Sequence, residues 1–328
     1  MYQGQVQGGG EGGGYLRQRH HEDCWGNGMS KQNCPKFYRQ RFILILLKQA
    51  GGCLSKMDFQ KLLFLSHQKI GVPFYDFVPY YYGCYSFQAA ADLETLQGLG
   101  WLQLRDHDIT LLHNLPFDKG LKAAATDELI LFMRIYQGYR SRRLVRYIYE
   151  HYPYYAVKSK IARDVLSADA LERIEKVRRS LQSQESVLFT IGYEGISFEE
   201  YVNVLLKNDI RLLCDVRKNP ISRKFGFSKG SLSNILPKLG IEYMHIPALG
   251  IISSSRKHLK TEGDYLRLFD QYKKTIQQKK PSLLKLMELL ETHKRIALTC
   301  FEKQPSFCHR HCISDYLEAD RGVKVIHL

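Results

Sequence analysis

The sequence predicts an α/β protein whose carboxy-terminal domain is a three-layer, mainly parallel sheet, preceded by a mostly helical amino-terminal half. Three observations carry this. From Val187 onward, short apolar runs (VLFTI, RLLCDV, IEYMHI, RIALTC, VKVIHL) alternate with helix-period stretches, the pattern of parallel strands joined by helical crossovers. Ahead of Val187, apolar spacings of three and four residues dominate, as in amphipathic helices. With 328 residues, 44% of them apolar, the chain is long for one core and sufficient for two.

Composition narrows the class of partner. Lys and Arg number 48 against 33 Asp and Glu, a net charge of +15 that favours an anionic partner, nucleic acid and DNA first, over a membrane surface. No apolar run approaches the roughly 18 residues of a membrane span, and no apolar signal core stands near the start, so a cytoplasmic location is expected. The cysteines (Cys24, Cys34, Cys53, Cys84, Cys214, Cys300, Cys308 and Cys312) form no regular framework. In a reducing compartment they are core thiols, ligands or nucleophiles rather than disulfides.

Taken in order, residues 1–36 are Gly-rich and aperiodic and are expected to be a disordered extension. Residues 37–125 form a helical domain. FYRQRFILILLKQAGG is a helix ended by Gly51-Gly52. Ser55 and Asp58 start a second helix, SKMDFQKLLFLSHQKIG, and Ser86 caps a third, SFQAAADLETLQGLG, after an aromatic loop, VPFYDFVPYYYGCY. WLQLRD and DITLLH alternate like a two-stranded ribbon. Three helices and a ribbon give the order of a winged-helix domain. Residues 126–185 are expected to be a basic helical connector, in which Arg140, Arg142, Arg143 and Arg146 interleave with tyrosines and suit phosphates and stacked bases. The segments KLLFLSHQKIG, YYYG and SFQAAADLETLQGLGWL resemble the Panacea-type antitoxin domain over about residues 41–112. That resemblance implies recognition in a regulatory or defence setting.

Residues 186–328 form the α/β domain. Parallel topology delivers every strand end to one edge, where ligands of open α/β sheets collect. At those ends stand Tyr193 and Glu194, then Asp215, Arg217 and Asn219, then Ser222, Arg223 and Lys229, then Tyr243 and His245, and finally Cys300, Glu302, Cys308, His309 and Arg310. The segments TIGYEGISFEEY, LLCDVRKNPISRKFGFSK, GIEYMHIPALG and ALTCFEKQPSFCHR resemble, in order and spacing, the family known as domain of unknown function 488, over about residues 187–328. The family implies the fold and nucleic-acid or nucleotide neighbourhoods, without a settled reaction. ALGIISSSRK departs from it, lacking a second glycine after Gly250.

A distant likeness to rhodanese lies in the DVR segment ending one strand and Cys300 ending a later one. A Cys-x5-Arg phosphatase is excluded, because the position six after Cys300 is Ser306. Three chemistries stay open. Cys300 or Cys308 is a thiolate nucleophile beside Arg310, His309 and a helix N-terminus. Alternatively, Glu302 or Asp215 is a general acid or base on a nucleotide or base, with Arg217, Arg223 and Arg310 holding phosphates. A zinc site among Cys300, Cys308, His309, His311 and Cys312 is the third, although the spacing fits no common zinc signature, and no metal or cofactor is expected. The expected function is a nucleic-acid-associated enzyme with catalytic Cys300, Glu302, Asp215, His309, Tyr193 and Glu194 and a substrate surface from Arg217 to Arg310. A non-catalytic DNA-binding regulator or antitoxin component, possessing a protein partner, and a rhodanese-like sulfurtransferase are the alternatives.

Overall fold

The computed structural model describes residues 35–71, 73–113, 123–252, 255, 259 and 261–328. The expected disordered extension therefore lies outside the described residues, apart from Pro35 and Lys36, as does much of the serine-rich stretch after Ile252.

The amino-terminal unit begins with α1 (Tyr38–Gln49), β1 (Cys53–Ser55) and α2 (Lys56–Ile70). The chain then forms β2 (Val78–Tyr80) and β3 (Gly83–Tyr85), followed by α3 (Phe87–Gly98), β4 (Leu102–Leu104) and β5 (Asp108–Leu111). Local chemistry sets the helix ends. Ser55 Oγ accepts the Asp58 N–H at 3.0 Å, Ser86 Oγ accepts that of Ala89 at 3.2 Å, and Gly71 closes α2 in the left-handed conformation. The expected ribbon is present as β4 and β5, and β1 joins it to give an antiparallel sheet in the order β1-β5-β4. Where an aromatic loop is expected, β2 and β3 instead pair as a short antiparallel ribbon. Three-residue strands, one of them carrying Pro79, leave no period to read.

The next helices are α4 (Ala123–Tyr136), α5 (Ser141–His151), α6 (Ala162–Val165) and α7 (Ala168–Leu181). Leu129, Phe132, Leu144, Ile148 and Ile174 enter the same hydrophobic core as Phe42, Phe59 and Trp101, so the segment expected as a connector packs into the front unit. The buried Asp58 carboxylate accepts the Ser141 N–H at 2.7 Å and so ties the start of α5 to α2.

The carboxy-terminal unit runs β6 (Val187–Gly192), α8 (Phe198–Lys207), β7 (Leu212–Asp215), α9 (Lys229–Ile235), β8 (Glu242–His245), α10 (Glu262–Thr275), α11 (Lys280–His293), β9 (Arg295–Cys300), α12 (Arg310–Arg321) and β10 (Val325–His327). Its five strands are all parallel, in the order β10-β6-β9-β7-β8, as the alternating apolar runs predict. One face packs Leu212, Ile296 and Leu298 against α10, α11 and α12, and the other packs Phe189, Leu213 and Ala297 against α8 and α9. Alternate residues of one strand thus feed two cores.

The two units meet at α8. Val78 of the β2–β3 ribbon lies in the core beneath α8, the Phe87 and Phe198 rings meet edge to face at 5.8 Å, and Asn203 Nδ2 donates to the Phe77 carbonyl at 2.7 Å. At the centre, the buried Glu199 carboxylate accepts from the Gln88 N–H at 2.8 Å and from Ser86 Oγ at 3.1 Å. Burial pushes this carboxyl up to about 7, with the two hydrogen bonds pulling the other way.

An acid with a raised folded-state pKa binds its proton more tightly when folded, so stability falls as pH rises from the ordinary carboxylate range to about 7 and is level outside that window. Glu199→Gln should remove this slope and gain on wild type above pH 7, by up to about 3 kcal/mol, in urea unfolding at pH 5 and pH 8. Parallel pH profiles for the two proteins would refute the assignment.

Candidate functional site

Strand register assembles the site. Gly192 of β6 lies opposite Cys300 of β9, and Asp215 of β7 lies opposite Thr299 on one side and His245 of β8 on the other. Residues from four segments of the sequence therefore stand in one row at the carboxyl edge of the sheet, where an open parallel sheet presents its crevice.

The loop after Cys300 is pinned at both ends. The Phe301 carbonyl accepts from the N–H groups of Tyr193, at 3.1 Å, and Glu194, at 2.9 Å, while Glu194 Oε2 accepts the Lys303 N–H at 3.0 Å. Gly192 is required by this approach: a Cβ there would stand 1.8 Å from the Glu302 carbonyl oxygen. Fully buried Arg310 holds the other side. Its Nη1 donates to the Glu302 carbonyl, Nη2 to the Lys303 carbonyl at 2.8 Å, and Nε to Thr190 Oγ1 at 3.3 Å. A short turn at Pro305–Phe307 then returns Cys308 and His309 to the end of β9.

Cys300, Cys308 and His309 are all buried, with one ligand atom from each lying within 4.8 Å of the others. His309 Nδ1 is 3.7 Å from Cys300 Sγ and 3.9 Å from Cys308 Sγ, and its Nε2 is 3.1 Å from the Val216 carbonyl. A carbonyl only accepts, so Nε2 carries the proton and Nδ1 faces the sulfurs. The Cys300 thiol also donates to Glu302 Oε2 at 3.4 Å. Burial pushes the Cys308 thiol well above its ordinary value, and the adjacent Cys300 adds to this. Burial likewise raises Cys84, Cys214 and Cys312 to about 12, as expected of inert core thiols.

A second cluster flanks the first. Asp215 and Arg217 form a buried bidentate pair, at 2.8 and 2.5 Å. Tyr243 OH donates to Asp215 Oδ2 at 2.8 Å, and Arg217 Nη1 donates to Tyr193 OH at 2.8 Å and to the Phe227 carbonyl at 2.9 Å. The Tyr193 and Phe227 rings stack at 4.3 Å. Burial alone would lower the Arg217 pKa, but its bonds to Asp215 more than offset that and the net shift is upward. Burial and the same carboxylate push Tyr243 well up. His245 Nε2 stands 2.9 Å from the Arg217 carbonyl, so two histidines hold consecutive carbonyls after β7.

Outside these clusters, Asn219, Arg223, Lys229 and Glu194 are exposed on the rim, and Ser222 Oγ accepts the Lys224 N–H at 3.1 Å. The structure thus brings Cys300, Glu302, Cys308 and His309 together, and sets Asp215, Arg217, Tyr193, Tyr243 and His245 beside them. Arg217 and Arg310 spend their donors on protein groups. Arg223 is among the cations exposed at this edge. Half-buried Glu302 also lines a cleft of about 90 Å³ with Leu259, Tyr265, Leu268, Phe269 and Phe307. In the front unit, Arg142 and Arg143 are exposed, Arg143 lying 4.4 Å from the Tyr139 ring centre. Arg140 donates to the Tyr136 and Tyr139 carbonyls, and Arg146 Nε to that of Val165.

Two further residues belong to the site. Tyr272 OH donates to the Leu249 carbonyl at 2.6 Å, and its ring meets that of His309 edge to face at 5.7 Å. Lys224 Nζ donates to the Tyr193 carbonyl at 2.7 Å. Tyr272 has the spacing of an ordinary core aromatic, so only the fold reveals it. Lys224 sits inside the ISRKFGFSK segment, where two neighbouring cations draw attention first.

Residues 197–317 match the family model described as Domain of unknown function DUF488, and this part of the chain carries that domain. Tyr193 and Glu194 stand just ahead of the match. No curated protein matches the chain.

Removing one partner of the Asp215–Arg217 pair leaves a buried charge uncompensated. Arg217→Met should therefore cost about 3–5 kcal/mol in chemical denaturation, and adding Asp215→Asn should restore part of that loss. Additive losses in the double variant would show that the two side chains are not coupled.

Proposed function

We propose that this chain, whose residues 197–317 belong to the DUF488 family, is a nucleic-acid-associated enzyme that processes a base, nucleotide or modified nucleic acid at the Cys300–Glu302 end of its sheet. The observation that carries the reading is Glu302. Its carboxylate accepts from the Cys300 thiol and lines the adjoining aromatic cleft. A cleft walled by Tyr265, Phe269 and Phe307 suits a planar ring held by its faces and edges. A carboxylate at its end, half-buried and in reach of a second proton carrier, suits the work of a general acid or base.

The front unit supports association with an anionic polymer. Its order α1, β1, α2, α3, β4, β5, with β1 and β4 on either side of β5, favours a winged-helix reading, the β2–β3 ribbon being an insertion. The α3 segment, FQAAADLETLQG, contains no Lys or Arg, and its amino-terminal end faces Glu199. Arg142 and Arg143 on α5 are the better contacts for phosphate.

A regulatory or antitoxin role with a protein partner is the second reading. Leu131 and Ile135, one turn apart on α4, are 60% and 61% exposed, an apolar pair that a protein partner could cover. The distant rhodanese likeness receives less support, because Cys300 is buried, 1% exposed, and a sulfur carrier must reach its acceptor.

Wild-type protein incubated with nucleotides, bases and modified nucleic acids should yield a mass-shifted product. Glu302→Gln should lower its formation by about a hundredfold or more. Equal product from both proteins would remove Glu302 from the chemistry, and no product from any substrate would favour the regulatory reading.

Separately, affinity for DNA or RNA should fall with salt. Replacing Arg142 and Arg143 by Ala should reduce the slope of log affinity against log salt by about 2 for a duplex. Absence of binding at low salt would overturn the association.

A further inference from the structure

We infer that Cys300, Cys308 and His309 bind a thiophilic divalent metal ion, zinc by the chemistry of its donors, with the fourth coordination position opening toward Glu302 and the aromatic cleft.

Distances come first. A tetrahedral zinc with Zn–S near 2.3 Å and Zn–N near 2.0 Å requires sulfur–nitrogen edges of about 3.5 Å. The observed separations of His309 Nδ1 from the two sulfurs, 3.7 and 3.9 Å, differ from that by a few tenths of an ångström. Among the described residues, these three form a group of potential ligand atoms within 4.8 Å of one another. Side-chain adjustment of that size needs no change of backbone.

The imidazole is held as a ligand requires. Its Nε2–H donates to the Val216 carbonyl at 3.1 Å, which fixes the tautomer and aims Nδ1 at the sulfurs. Metal-bound histidines are oriented by this kind of outer hydrogen bond. The Tyr272 ring packs against the His309 ring, and Arg310 clamps the loop joining Cys300 to Cys308, so the ligands are fixed without the ion.

Charge also balances. Binding replaces two thiol protons by one divalent ion, and the ion with two thiolates is neutral in a buried position. The remaining local charges, Arg310 and Glu302, oppose each other. Two sulfurs and one nitrogen favour zinc over magnesium or calcium, which prefer oxygen ligands.

Three protein ligands leave one position. Glu302 Oε2 lies 3.4 Å from Cys300 Sγ, and the same side chain lines the cleft, so a water reaching the ion from the cleft would have the carboxylate beside it. Glu302 would then take a proton from a water held there as the water oxygen bonds to an amino-bearing ring carbon; the bond from that carbon to the exocyclic nitrogen breaks, and the amino group leaves as ammonia with the proton returned by Glu302. That role rests on the base-processing reading above. Binding of the ion does not.

The test uses tag-free full-length protein, reduced, stripped with a chelator and titrated with cobalt(II) or zinc(II). Cobalt should give the visible bands of a tetrahedral site and a near-ultraviolet thiolate-to-metal band, saturating at one ion per chain. Zinc loading should protect two thiols from a disulfide reagent. Cys300→Ser and Cys308→Ser should bind at least a hundredfold more weakly, whereas Cys312→Ser and Glu302→Gln should retain the ion. If the serine variants do not fold, the cobalt spectrum of the wild-type protein decides alone. A spectrum without a thiolate band, undiminished binding in both serine variants, or a Cys300–Cys308 disulfide persisting in the reduced protein would overturn the proposal. Loss of metal in Glu302→Gln would overturn the open fourth position, and intact metal with no turnover of any base would overturn the base-processing reading alone.

Discussion

The Arg310 guanidinium is the constraint on which the candidate site depends. A loop leaving the middle strand of a parallel sheet carries backbone groups that the sheet no longer pairs, and burying them unpaired would cost free energy comparable to a lost hydrogen bond each. Arg310 accepts that task for two successive carbonyls, those of Glu302 and Lys303, while its Nε reaches Thr190 on β6. Because Arg310 is also the first residue of α12, the same contacts set where that helix begins. Cys308 and His309, immediately before it, are thereby brought back to Cys300. The absence of a side chain at Gly192 lets the loop lie close enough for all of this.

Arg217 and Arg310, two of the buried arginines of this domain, are stabilised in different ways. Arg217 is neutralised by Asp215, whose other contacts extend the network to Tyr243. Arg310 is solvated by carbonyl and hydroxyl dipoles and keeps its positive charge beside the sulfurs, where it opposes the rise of the Cys308 pKa. The Asp215 cluster is therefore suited to rigidity and the Arg310 side to holding negative charge. Glu302 is where the second region reaches a cleft.

The α/β domain was legible because a buried parallel strand leaves a mark: VLFTI, RLLCDV and RIALTC are apolar without alternation, and the polar residues clustered just past them are the ones the register sets in a row. Burial of charge was not legible. Arg217 and Arg310 stand in the sequence as cations near a site, and only their partners show that they hold protein groups rather than face a ligand. The strands β1, β2 and β3, three residues each, are too short for a period; β1 owes its existence to β5, distant in sequence, and β2 and β3 to each other across a tight turn. At the start of α8, Ser197 Oγ accepts the Glu200 N–H at 3.0 Å, an ordinary local cap. Glu199 between them makes the interface contact, for which the sequence has no local signal.

That interface constrains how the halves can cooperate. In a winged-helix arrangement the third helix ordinarily enters a groove. Here Ser86 and Gln88, at the start of α3, are bonded to Glu199 of α8, and Val78 from the β2–β3 ribbon is sealed in the core beneath that helix. Freeing α3 for a groove would expose Val78 and leave a carboxylate without donors. The cationic face of α5 carries no such obligation, since Leu144, Val145 and Ile148 face the core while Arg142 and Arg143 face solvent. On the proposed reading, an anionic polymer is therefore held at α5 while α3 keeps the sheet bearing Cys300 fixed to the front unit. The separation of those two tasks follows from Glu199 having taken the end of α3.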